Sequence, residues 1–422
     1  MSLSGYTQKR APLSLATGLY CKACGSAFDL GIRNACDECF ASVEIRYDMD
    51  EVSKHLTKES IRQGPASIWR YWPLLPAGRK TGERGLNPGF TPLRECRNLA
   101  GELGLKHLYV KDDTVNPTYS FKDRPVATSA AAAVELGLNG LGCASTGNLA
   151  GATAAAAARY GLPSIAIIPK GLDANKVIAS SVYGSSIVEV EGSYDNANRI
   201  ANLIADRYRV GFVNINLRPF YIEGSKTLSF EVIEQLNWQE PDRIIVPMGS
   251  GALLTAVSRG IEEFRYLDLS EGRTLICGTQ PMGCSPISRA FQEGSEIRPV
   301  KEPRTVAESL AIGDPASGDD ALRAIRESGG YADAISDREI CEAQLLLARK
   351  EGIFTEPAGG TVVASLIRNV ESGVISPSET VVCLITGNGL KVTSHLSSSV
   401  STVKYDGSFS SMDAVLSSFQ KV

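Results

Sequence analysis

Between residues 88 and 392 the chain alternates short apolar runs with helix-length segments, and this alternation restricts the fold more than any other feature. The apolar runs fall at 108–110, 140–144, 164–168, 187–190, 210–213, 244–248, 275–279 and 381–385. Helical patterns such as 148–160, 197–207, 224–236, 252–264, 338–351 and 360–370 lie between them. Short strands separated by helices cannot pair as hairpins; right-handed crossovers set them parallel, with helices covering both sheet faces. The expected fold class is α/β.

Three segments of this region carry chemistry of their own. In Asn116-Pro-Thr-Tyr-Ser-Phe-Lys-Asp-Arg124 a single lysine, Lys122, lies among small and polar residues, ahead of an alanine-rich helix that opens near Arg124. A lysine at the mouth of a cleft is partly desolvated, which favours its neutral amine and lets it form a Schiff base with an aldehyde cofactor. In Ser145-Thr-Gly-Asn-Leu-Ala-Gly151, Gly147 bends the chain and Asn148 opens the next helix, so hydroxyls and unpaired N-terminal amides are available to a carboxylate. In Gly249-Ser-Gly-Ala-Leu253, between a strand and a helix, the glycines let backbone amides approach an anion, making a phosphate cup. The segment is neither a P-loop nor a Gly-x-Gly-x-x-Gly dinucleotide fingerprint.

Together with Glu223-Gly-Ser-Lys-Thr227, Ser309-Leu-Ala-Ile-Gly-Asp-Pro315 and Thr386-Gly-Asn-Gly-Leu-Lys391, these segments span residues 65 to 392 in an order and spacing that resembles the fold type II pyridoxal-phosphate enzymes. Within that class the sequence is most similar to the threonine synthase family. The resemblance implies two parallel-type sheet domains covered by helices, with pyridoxal 5′-phosphate in the cleft between them. It also implies a smaller lobe at 115–225 inserted in the larger one, and a homodimer. Lys122 would be the catalytic lysine that holds the cofactor covalently, and Gly249, Ser250, Gly251, Ala252 and Leu253 would hold its 5′-phosphate. Thr386 would set a hydroxyl against the pyridine nitrogen, and Asn148 would bond the ring's 3′-oxygen. Ser145, Thr146, Asn148 and Leu149 would hold the substrate carboxylate.

The implied activity is that of a carbon–oxygen lyase acting on phosphates: phosphate leaves the γ carbon of O-phosphohomoserine, water adds at the β carbon, and L-threonine results. Such chemistry needs a second anion pocket for the leaving phosphate. Its candidates are Asn214, Asn216, Arg218 and Lys226. One common family pattern has an arginine two residues after the proline, where this chain has Tyr221. Arg218, just before Pro219, either supplies that charge or is a surface salt-bridge partner. The altered position also keeps open a related reading, a β/γ-replacement or dehydratase enzyme of cysteate- or cysteine-synthase type acting on another activated amino acid. A scaffold that has lost catalysis is disfavoured by the intact Lys122, cup and carboxylate segments.

Ahead of the core, residues 1–20 read as a polar, flexible lead-in. Cys21-Lys-Ala-Cys24 and Cys36-Asp-Glu-Cys39, eleven residues apart with Gly25 and Gly31 between them, have the spacing of two metal knuckles. Residues 21–48 are therefore expected to form a zinc-ribbon-like module ligated by Cys21, Cys24, Cys36 and Cys39, the alternative being a metal-free ribbon of reduced thiols. Four sulfur positions leave no open site, so the role is structural. Residues 49–87, with Trp69-Arg-Tyr-Trp-Pro73, read as an arm packed on the surface. Residues 393–422, serine-rich at 394–402 and amphipathic at 412–419, read as a tail on the surface or on a partner subunit.

Composition excludes several partners. A formal net charge of -4 offers no basic face for nucleic acid or an anionic membrane. No apolar run reaches the eighteen or so residues of a membrane span, and the N-terminus lacks a signal-peptide pattern, so a cytoplasmic protein is expected. The three histidines, His55, His107 and His395, stand in no acid/base constellation.

Overall fold

A computed structural model describes residues 14–33, 35–170, 175–191 and 194–399, together with 402 and 412. Most of the expected lead-in and nearly all of the 412–419 stretch lie outside the described residues.

The strands follow one another in three groups. β1 (Ala16–Cys21), β2 (Ala27–Phe28) and β3 (Val43–Tyr47) make a small antiparallel sheet in the order β2-β1-β3. β4 (Leu93–Glu95) and β5 (His107–Asp112) begin a larger sheet, and the chain then leaves it for β6 (Gly140–Cys143), β7 (Ser164–Pro169), β8 (Ser186–Val190) and β9 (Val210–Phe212). It returns with β10 (Arg243–Pro247), β11 (Leu275–Pro281), β12 (Ala332–Ile335) and β13 (Thr380–Ile385). The larger sheet has the order β12-β11-β10-β13-β5-β4 and is parallel except at β4, while the four-stranded sheet β8-β7-β6-β9 is parallel throughout.

Burial explains why the central strands are apolar on both faces. In β10, Ile244 and Val246 pack with Leu254, Val257 and Phe264 of the helix Ala252–Tyr266. Ile245 points the other way, among Val362, Val363 and Leu366 of the helix Pro357–Glu371. Each such side chain contributes about 1.5–3 kcal/mol by leaving water. Around the four-stranded sheet the facing helices are lined by alanines instead: Ala130, Ala133, Ala152 and Ala157 are buried with Leu141. Small side chains there let helices and sheet approach closely.

Several expectations need correction. The helix Arg218–Gln235 starts six residues before the expected position 224, because Pro219 suits a first helical turn whose amides need no partner. Gly224 is not a helix start but a crossing point: a Cβ there would strike the Arg124 carbonyl and lie 2.7 Å from the Pro125 Cα. β4 and β12 escape the apolar pattern because each is short and lies at a sheet edge. Residues 49–62, where charged and apolar residues mix as on a helix, are indeed helical, in two short pieces, Met49–His55 and Lys58–Arg62, capped by Asp48 and Thr57. The aromatic arm is interior rather than superficial: Trp69 and Tyr71 are fully buried and Arg70 pairs with Glu234 at 2.6 Å. β1 begins inside the expected lead-in, since Leu19 and Cys21 alternate inward against β3. Among the described residues no helix is long and apolar enough to cross a membrane.

Candidate active site

Lys122 ends a loop and caps the helix Asp123–Glu135. The loop is tied down on both sides. The Asp123 carboxylate accepts from the Thr118 amide and hydroxyl, each at 2.7 Å, and the Lys391 amine donates to the Thr118 carbonyl at 2.6 Å. The Phe121 amide donates to the Thr386 carbonyl (2.9 Å), and the Asn388 amide to the carbonyl of Tyr119 (3.0 Å). Tyr119 is held at φ 63°, a left-handed conformation that a bulky residue adopts only when its surroundings enforce it. Burial pushes the Asp123 carboxyl up to about 6, against the opposing hydrogen bonds from Thr118. The Lys122 amine donates to the Tyr221 phenol oxygen at 2.9 Å and lies 4.6 Å from the Phe121 ring centre.

Thr386 is buried at the end of β13, beside this loop. Asn148, in the first turn of the helix Gly147–Tyr160, donates to the Glu356 carboxylate at 2.9 Å. Glu356 is itself buried, which raises its carboxyl above the usual range, and it fills the space where Gly387 would carry a side chain. Lys122, Asn148 and Thr386 are thereby gathered around one place. Ser145, on the loop after β6, and Leu149, in the same helical turn, flank Asn148. Asn214 clamps that loop from behind, accepting from the Ala144 amide (3.1 Å) and donating to its carbonyl (3.3 Å).

The glycine turn after β10 forms a cup. Gly251 has φ 86°, and a Cβ there would stand 2.5 Å from the Ser317 carbonyl oxygen. The first intrahelical bond is from the Thr255 amide to Gly251, so the amides of Ala252, Leu253 and Leu254 have no intrahelical acceptor. Ser317 donates its amide to the Ser250 carbonyl at 2.9 Å, and its hydroxyl accepts from Arg218 at 3.0 Å. Ile312, within the 309–315 segment, borders Gly249.

The remaining candidates divide sharply. Arg218 is half-buried, its guanidinium pulled below the usual range by burial, and among the described residues no carboxylate pairs with it. Lys226 is fully buried, paired with Glu223 at 2.6 Å and Glu263 at 2.8 Å. Its charge is spent inside the protein, which removes it from the list of substrate ligands. Asn216 is likewise engaged with the backbone: it accepts from the Phe212 amide (2.7 Å) and donates to the Val210 carbonyl (3.1 Å). Sequence reasoning gave Tyr221 no role, although it lies one turn beyond Arg218 on the same helix face.

At the N-terminus the Cys21, Cys24, Cys36 and Cys39 sulfurs all lie within 4.8 Å of one another, with close pairs at 3.4 and 3.6 Å. A tetrahedral zinc with bonds of about 2.3 Å needs sulfurs about 3.8 Å apart. The four thiols therefore have nearly the spacing that such an ion requires.

The site also fits pyridoxal phosphate: an amine for its aldehyde, helix amides without an intrahelical acceptor for its phosphate, and a buried Ser120 hydroxyl, two residues from that amine, with no partner among the described residues. The family described as pyridoxal-phosphate dependent enzyme matches residues 85–387, and the chain belongs to it. The helices and parallel sheets agree with solved enzymes of that class. Maize serine racemase superposes with a TM-score of 0.60 at 22% identity, covering 74% of this chain and 93% of that one. Diaminopropionate ammonia lyase from Escherichia coli gives 0.63 at 19%, covering 75% and 89%. Within the class the chain is a member of the threonine synthase family. It is 41% identical to threonine synthase of Methanocaldococcus jannaschii over 88% of this chain and 92% of that one. It is 38% identical to threonine synthase of Bacillus sp. over 76% and 89%.

Proposed function

We propose that this chain converts O-phospho-L-homoserine and water into L-threonine and inorganic phosphate. The observation that carries the reading is Arg218: a half-buried guanidinium that makes no ion pair with a carboxylate among the described residues, one helical turn from the residue that holds Lys122. Such a cation favours a dianionic substrate group over water. Pyridoxal phosphate, when bound, supplies the aldehyde that Lys122 and the substrate amine occupy in turn, and a ring that draws electrons from the α carbon.

The protein groups do the rest. The amides of Ala252, Leu253 and Leu254, with Gly249, Ser250 and Gly251, would hold the cofactor phosphate, Asn148 would hold the ring oxygen and Thr386 would offer its hydroxyl to the ring nitrogen. Ser145, Thr146, Asn148 and Leu149 hold the substrate carboxylate, and Asn214 keeps their loop in place. The freed Lys122 amine takes protons from the α and β carbons, returns one to the γ carbon after phosphate has left toward Arg218, and returns the other to the α carbon; the released phosphate takes up the proton left over from water. Water adds at the β carbon.

Cys21, Cys24, Cys36 and Cys39 hold a structural zinc ion in this reading. Residues 115–225 act as the smaller lobe, and the protein works as a cytoplasmic homodimer. The test is to supply O-phospho-L-homoserine and follow phosphate and threonine together. One threonine per phosphate is expected, with Lys122→Ala inactive. Absence of phosphate release, with turnover of another activated amino acid, replaces this reading with the replacement-enzyme one.

A further inference from the structure

Tyr221 occupies the position where a common pattern of the family has arginine, and it touches the lysine that does the chemistry. Its side chain is almost wholly buried, and its phenol oxygen is 2.9 Å from the Lys122 amine, closer than the centre of its ring at 5.6 Å. The contact is thus a hydrogen bond through the hydroxyl. Two features fix it. Gly224 brings its helix against the Arg124 and Pro125 backbone with no room for a methyl group, and the Thr128 hydroxyl donates to the Phe220 carbonyl at 2.8 Å. Tyr221 lies between those two anchors.

The chemistry of the two possible residues differs. Arginine only donates hydrogen bonds, so it cannot receive one from a lysine ammonium. A phenol accepts from the ammonium and donates to the neutral amine. An amine that takes a proton from one carbon and gives it to another passes through both states, and a partner that suits both holds it in one place.

We propose that Tyr221 is a catalytic residue: its phenol holds the Lys122 amine in position throughout proton transfer, while Arg218 supplies the cationic function that the family's arginine has elsewhere. This rests on the reaction proposed above. The phenol keeps its own proton; the proton removed from substrate carbon resides on the Lys122 nitrogen until it is returned.

Tyr221→Phe removes only the oxygen. With O-phospho-L-homoserine, kcat should fall ~10- to 100-fold, the effect of losing one hydrogen bond to a charged group, while KM changes less than about threefold. Cofactor-free Y221F should also take up pyridoxal phosphate several-fold more slowly, read from the growth of its violet-edge absorbance, with an unchanged melting temperature. Tyr221→Arg should not restore kcat. A Phe variant with kcat and cofactor uptake both near wild type, or with its loss carried by KM alone, overturns the proposal. If the wild-type protein releases no phosphate, the proposed reaction fails instead, and cofactor uptake alone decides the role of Tyr221.

Discussion

The protein contains two clusters of interior charge built from the same residue types but sealed differently. In the first, Arg124 sits between Asp113 and Glu231, with Lys111 against Glu231 at 2.6 Å, and none of these side chains is more than 1% exposed. All four belong to the core that carries Lys122. In the second, Lys226, Arg259, Glu223 and Glu263 lie between the helices Arg218–Gln235 and Ala252–Tyr266, and the cysteine module closes the cluster from outside. Tyr47 donates to Glu223 at 2.7 Å, Glu44 pairs with Arg259 at 3.3 Å, and Lys22 reaches Asp320 at 2.5 Å. Lys22 and Asp320 remain about a quarter exposed, at 24% and 25%. The first cluster is an internal condition of folding; the second depends on a module that docks onto the core.

Four experiments would break or sharpen this contrast. Replacing Glu231 by Ala leaves Arg124 and Lys111 without their shared carboxylate, and should cost about 3–5 kcal/mol in denaturant unfolding. A cost under 1 kcal/mol would show that the first cluster is not closed. Acid gives the next largest effect. Burial alone would raise the Glu231 carboxyl, but Arg124 and Lys111 outweigh it and hold it at about 2, below its ordinary value of 4.5. Its contribution is therefore complete above pH 4.5 and lost as pH falls toward 2, on the order of 3 kcal/mol. Glu231→Gln should flatten that part of the stability profile.

Chelation of the metal proposed at Cys21, Cys24, Cys36 and Cys39 should loosen the docked module and uncover Glu223. We expect a loss of about 2 kcal/mol, seen as a lower melting temperature that zinc restores. An unchanged melting temperature would make the module independent of the second cluster. The smallest effect belongs to Glu44→Gln, about 1 kcal/mol or less, and it should shrink by half or more in 1 M salt. The Glu231 effect should hardly respond to salt. Equal salt sensitivity would erase the distinction.

What the sequence made legible followed from local physics. The buried strands β5, β10, β11 and β13 announce themselves as apolar runs, and the glycine turn at 249–251 shows its need for a bare backbone. The residue types that gather around Lys122 were also readable, because each stands in a short local motif. What remained hidden depends on which face of a helix meets which neighbour. Lys226 and Arg218 are both cations on one helix, yet one is consumed by Glu223 and Glu263 while the other meets the Ser317 hydroxyl and, among the described residues, no carboxylate. Tyr221 looked like a mere departure from a pattern, because its partner lies 99 residues away. The arm around Trp69 looked superficial for the same reason: it is buried by segments distant in sequence, with Glu234 against Arg70 and the Phe230 and Phe264 rings against Tyr71.

The bare crossing at Gly224 has a mechanical consequence. Where the two helices cross, backbone meets backbone with no side chain at position 224 to slide or repack, and the pair behaves as one lever. If the cleft closes over a ligand, the lysine on one helix and the phenol on the other must travel together. The 2.9 Å contact between them need not be remade after such a motion.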